Sequence, residues 1–194
     1  MTAPADPIAV ALAVARVLEA LGIEHTTGGS IASSVAGEPR STADIDIVAA
    51  LAEPQIPALV AALTADFYVD DEALRRAVRD RASTNFIHHA TQLKVDLFVA
   101  GGTPLDGQQL ERRRAVDMGA GRTLYVHPPE DILLQKLRWY QKGGGASDRQ
   151  WRDILAIVRV QGDSLDRSYL AANAPVLDVA DLLTRALQEG PASG

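Results

Sequence analysis

The chain has 194 residues, 47% of them apolar and 23% charged, with no cysteine. This composition excludes a disordered, fibrous or disulfide-stapled protein and removes thiol catalysis and thiolate metal sites together. The formal net charge of −6 is uneven, with −8 over residues 1–71, +5 over 72–159 and −3 over 160–194, so an acidic first third precedes a basic middle suited to polyanions. Sixteen Arg against three Lys, beside 32 Ala, also fit a biased coding composition, so arginine clusters alone carry little weight. The longest apolar run, residues 8–15, is too short to span a bilayer, and no basic segment precedes it. The expectation is therefore a cytoplasmic protein with no membrane partner.

In chain order, Asp6-Pro7 supplies an N-cap and first-turn proline for an amphipathic helix ending at Gly22. Residues 23–27 read as a strand, 30–36 as a short helix, and 44–50 as a strand with sharp alternation. Further strands are predicted at 67–69, 84–88 and 93–99, and helices at 55–63 and 72–78. From Gly101 the character changes: residues 105–116 and everything after Pro128 read as helical, with 122–126 the one strand between them. Ser147 and Gln150 match a capping box, and Trp151, Ile154, Leu155 and Val158 then follow at helical spacing. Residues 165–173 and 177–187 read as two more helices. The predicted organisation is a mixed α and β core over residues 1–101, a mainly helical lobe over 102–190 and a frayed tail over 191–194.

Three features carry chemistry. Gly28-Gly29-Ser30 lies where a strand meets a helix; it is either a tight turn capped by Ser30 or a phosphate cradle, whose glycines admit close backbone approach and whose helix start favours an anion. Asp44-Ile45-Asp46 sits on an alternating strand, which puts both carboxylates on one face. They form either a solvated strand face or a site where a cation relieves their repulsion, and hard oxygen donors select Mg2+ or Mn2+. Asp96 stands among Val95, Leu97, Phe98 and Val99, where a charge needs a metal or a basic partner such as Lys94.

Joined, these features resemble a known family. Gly29-Ser30, thirteen intervening residues, Asp44-x-Asp46 and a distant Asp96 between hydrophobics are similar to the nucleotidyltransferase superfamily related to DNA polymerase β. The stretch from Gly28 through Arg40 and Thr42 to Asp46, with Pro129 to Lys136 and Arg149 to Asp153, resembles more particularly the bacterial AbiEii/AbiGii toxin-type nucleotidyltransferases. The resemblance covers residues 20–160. It implies an α/β (α+β) fold, a small mixed β-sheet flanked by helices and followed by a helical C-terminal lobe, with the nucleotide between the two. It further implies that Gly28, Gly29 and Ser30 hold the triphosphate, that Asp44 and Asp46 ligate two Mg2+ or Mn2+, and that Asp96 ligates one of them and helps deprotonate the acceptor.

Two cations extend the candidate set. Lys136 falls within an apolar helical stripe, between Ile132 and Tyr140, and is either a phosphate contact or a snorkelling lysine; Arg40 either neutralises phosphate or pairs with a nearby acid. Other candidates weaken. His88-His89 on a strand would point to opposite faces, and His25 and His127 belong to no motif. Gly143-Gly144-Gly145 lacks the Lys-Ser/Thr of a P-loop, and Arg112-Arg113-Arg114 reads as a solvated helix face or a guide for a tRNA-like acceptor. The expected activity is transfer of an NMP from an NTP, most simply ATP, to a hydroxyl of RNA, tRNA or protein with release of pyrophosphate, as in a toxin with a cognate antitoxin; a small aminoglycoside-like acceptor would instead need an acidic pocket to receive its amines. The rival is a noncatalytic nucleotide-binding or antitoxin-like interaction module on the same fold.

Overall fold

The computed structural model describes residues 6–38, 44–101 and 105–190. They form two compact units: residues 6–31 with 44–127, and residues 32–38 with 128–190. Arg40, Thr42 and the 191–194 tail lie outside the described residues.

The first unit is built on a seven-stranded mixed sheet. Its strands are β1 (His25–Thr27), β2 (Ile45–Ala49), β3 (Phe67–Val69), β4 (Ser83–His88), β5 (Lys94–Val99), β6 (Arg114–Asp117) and β7 (Thr123–Val126), in the order β3-β4-β5-β2-β1-β7-β6. The centre alternates as the sequence requires: Ile45, Ile47 and Ala49 are buried while Asp46 and Val48 are half-buried. Phe86, Ile45, Ile47 and Leu97 are fully buried, each contributing roughly 1.5–3 kcal/mol of apolar burial. Helix α1 (Pro7–Ala20) starts where Asp6 Oδ1 accepts the Ile8 N–H at 3.0 Å and packs on β1, β2 and β7. Helix α2 (Gly29–Ala36) follows β1, α3 (Ile56–Leu63) follows a one-turn 3-10 helix, and α4 (Asp71–Asp80) is capped by Asp70, whose Oδ1 accepts from Ala73 N at 2.9 Å.

One expectation fails here. Residues 105–116 form only a short helix, α5 (Asp106–Glu111), and Arg114–Asp117 instead opens a hairpin with β7, pairing Arg114 with Val126 and Asp117 with Thr123. Arg112-Arg113-Arg114 is thus a helix end and a strand start, not a helix face. Arginine's helix propensity misleads, because edge pairing onto β7 overrides it. The sheet unit therefore runs to His127, past the change of character at Gly101.

The second unit is helical: α6 (Pro129–Lys142), α7 (Asp148–Gln161), α8 (Arg167–Asn173) and α9 (Ala180–Glu189). Ser147 caps α7 as its capping box predicts, accepting from Gln150 N at 3.3 Å, and Trp151, Ile154, Ile157 and Val158 are buried. The first turn of α6 buries two acids. Tyr169 donates its hydroxyl to Asp131 at 2.6 Å, and Asp166 N donates to Glu130 at 3.0 Å, while the positive end of the helix favours both carboxylates.

Candidate active site

The Gly28-Gly29-Ser30 segment turns directly from β1 into α2. Gly28 spends its N–H on the chain itself, donating to the Asp46 carbonyl at 2.9 Å and so fastening the turn to β2. Gly29 is the first residue of α2 with φ +54, left-handed backbone that glycine adopts without strain. A Cβ built on Gly29 would stand 1.7 Å from Asp46 Oδ2. The Asp46 carboxylate therefore lies against the backbone of the turn, in space that only glycine leaves open. Ser30 falls in the first helical turn, where N–H groups have no intrahelical acceptor and the helix dipole is positive.

Strands β2 and β5 run parallel with Asp46 directly opposite Asp96, and β4 places Asn85 opposite Asp96 on the other side. Asp44 precedes β2 and is exposed. Like charges facing each other across a sheet repel, and a cation answers them: Lys94 Nζ lies 2.8 Å from Asp96 Oδ2, with the two side chains 52% and 24% exposed. Hydrogen bonding to Asp96 raises the Lys94 pKa above its ordinary value, and the charges of Asp96, Asp44 and Asp46 add to that rise. Among the described residues no three His, Asp or Glu side chains are gathered as a metal-ligand group. The donor set nonetheless suits Mg2+ or Mn2+, since it consists of carboxylate oxygens, with Asp46 and Asp96 on facing strand positions.

Of the residues singled out in the sequence, the structure brings together Gly28, Gly29, Ser30, Asp46 and Asp96, with Asp44 just before β2 and exposed. Lys136 lies in the helical unit, where its ammonium donates to Asp153 Oδ2 at 2.9 Å and both side chains are mostly buried, 14% and 13% exposed. Sequence reading missed Asn85, whose place beside Asp96 depends on the β4 register. It also missed a buried polar group behind the turn. His127 donates its backbone N–H to the Thr27 carbonyl, yet neither ring nitrogen has a partner, nor do the hydroxyls of Thr26 and Thr27 or Nε2 of His25. Burial pushes the His127 imidazole down to about 4, against an opposing pull from Asp106.

No protein-family model matches the sequence, and no match is found among curated proteins. Solved structures do match. An antigenic nucleotidyltransferase-like protein from Paracoccidioides brasiliensis is similar with TM-score 0.58 and 18% identity, covering 96% of this chain and 94% of its own. The chain has the nucleotidyltransferase fold. The antibiotic-resistance factor ANT(2'')-Ia is similar in its solution structure, with TM-score 0.51 and 15% identity over 95% of this chain and 97% of that one. Its crystal structure in complex with adenylyl-2''-tobramycin gives TM-score 0.55 and 11% identity over 88% and 96%. No helix among the described residues is long and apolar enough to cross a membrane.

Proposed function

We propose that this protein is a metal-dependent nucleotidyltransferase that moves an NMP from an NTP, most simply ATP, to a hydroxyl acceptor and releases pyrophosphate. The observation that carries the reading is the Asp46–Asp96 register pair set against the Gly29 turn. The acceptor oxygen bonds to the α-phosphorus as the bond from that phosphorus to the bridging oxygen breaks, and the acceptor proton passes to a carboxylate, for which Asp96 is the candidate. The first turn of α2 offers N–H groups and a positive dipole end to the triphosphate, which is how a helix start binds phosphate without a charged side chain. Asp44, Asp46 and Asp96 would hold Mg2+ or Mn2+, which would supply charge neutralisation on the phosphates and a more acidic acceptor hydroxyl.

The proposed acceptor is RNA, tRNA or protein, in the manner of a toxin restrained by a cognate antitoxin. The adenylyl-2''-tobramycin held by ANT(2'')-Ia gives reason to test the small aminoglycoside-like acceptor as well. The noncatalytic module is favoured by a specific observation, the Lys94 ammonium seated on Asp96. Purified protein incubated with each α-labelled NTP, Mg2+ or Mn2+, and separately RNA, lysate protein or tobramycin distinguishes these readings. Label on one acceptor identifies substrate and base; label on none, with nucleotide still bound, supports the module.

A further inference from the structure

We infer that Lys94 is a tethered counter-cation that holds Asp96 in the metal-free protein and is exchanged for the divalent cation when the carboxylate centre loads. The inference rests on the proposed reading of Asp44, Asp46 and Asp96 as metal-binding, and it extends that reading to a residue the activity itself does not call for.

Position carries the argument. Lys94 and Asp96 are two apart on β5 and so share a face, the one on which Asp46 stands opposite Asp96. The ammonium reaches Asp96 Oδ2 at 2.8 Å, and Asp44 and Asp46 are near enough to act on it. The Lys94 ammonium thus occupies an oxygen of Asp96 on the face from which a metal ion would take that carboxylate. A lysine is suited to such a role. Its charge sits at the end of a flexible stem, so it can leave without moving the strand. With its side chain 52% exposed, the pair is weak enough for a divalent ion to displace it. Loading is then an exchange: the metal takes the Asp96 oxygen and the ammonium swings to solvent. The cost of that exchange weakens metal affinity, and the benefit is a sheet that tolerates facing acids before any metal arrives.

Mn2+ titration followed by electron paramagnetic resonance, on chelator-stripped wild type, Lys94→Met, Lys94→Arg, Asp96→Asn and the Lys94→Met/Asp96→Asn double variant, tests this directly. Lys94→Met should bind Mn2+ at least threefold more tightly than wild type, while its metal-free Tm falls by about 2–4 °C as repulsion is exposed. Lys94→Arg, which keeps the charge, should stay near wild type in both. In the Asp96→Asn background the effect of Lys94→Met on both quantities should shrink, because the ammonium has lost its hydrogen-bonded partner and keeps only the longer-range pull of Asp44 and Asp46. Saturable binding with an unchanged or weaker affinity in Lys94→Met overturns the exchange while leaving the metal reading standing. Absence of saturable Mn2+ binding in wild type and Lys94→Met alike overturns the metal reading and the exchange with it. A metal-free Tm that Lys94→Met leaves unmoved also contradicts the counter-cation role.

Discussion

His127 makes the stability of this protein depend on pH in a way that can be worked out. Its ring is 1% exposed and neither nitrogen is paired, so a proton added to the folded protein enters a site that offers no acceptor. Desolvation lowers the imidazole from 6.5 to about 4. The unfolded chain takes up a proton as pH falls through 6.5, whereas the folded chain resists until about 4. Stability from the neutral ring is therefore complete above 6.5, erodes below it and is lost by about 4. At about 1.4 kcal/mol for each factor of ten in proton affinity, the full loss is about 3 kcal/mol, of which about 2 has appeared by pH 5. His127→Leu removes the titration and an unpaired buried polar group, so at pH 7.5 it should be as stable as wild type or more so. Urea unfolding followed by circular dichroism between pH 7.5 and 5 measures both proteins. The variant should gain about 2 kcal/mol on wild type over that range; parallel pH profiles would mean that His127 takes up its proton equally in the folded and unfolded chain.

Other consequences follow from the same geometry. Gly29→Ala must place a methyl on the Asp46 carboxylate and hold alanine at positive φ, costing about 1–3 kcal/mol, and should abolish NMP transfer. Gly107→Ala, in α5 with open space around it, is its control and should stabilise by about 0.5–1 kcal/mol. Asp46→Asn removes half of a facing like-charge pair; turnover should vanish while metal-free stability, read from chemical denaturation, stays level or rises by up to about 1 kcal/mol. Lys136→Ala removes the ammonium paired with the mostly buried Asp153 carboxylate and should destabilise by about 1.5–3 kcal/mol. Lys136→Arg keeps the charge, and a raised NTP KM in that folded variant is what a phosphate contact predicts.

The acids and the glycine turn were legible because their signals are local. Alternation placed Asp46 on the face opposite Ile45 and Ile47, which are buried as that pattern requires, whereas Asp44, expected on the same strand, lies just before β2 and is exposed. Asp96 stood out because a carboxylate among Val95, Leu97 and Phe98 needs compensation, and Lys94, two residues away, supplies it. What remained hidden depends on register. Nothing in Arg114 to Asp117 marks a strand until β7 is there to pair with it, so the segment read as helix. Asn85 meets Asp96 only through the β4–β5 register. His127 looks like any histidine after a strand, because no local pattern marks its burial or its unpaired ring nitrogens. Lys136 was legible as misplaced within an apolar stripe, but its partner Asp153, on the next helix, was not.

The proposed function requires Asp46 and Asp96 to form one catalytic centre beside the Gly29 turn. Its most direct test is the rate of label transfer from α-labelled NTP to acceptor by wild type, Asp46→Asn and Asp96→Asn, each confirmed folded by circular dichroism. Transfer by wild type and none by either variant is expected. Transfer at the wild-type rate by either folded variant would contradict it.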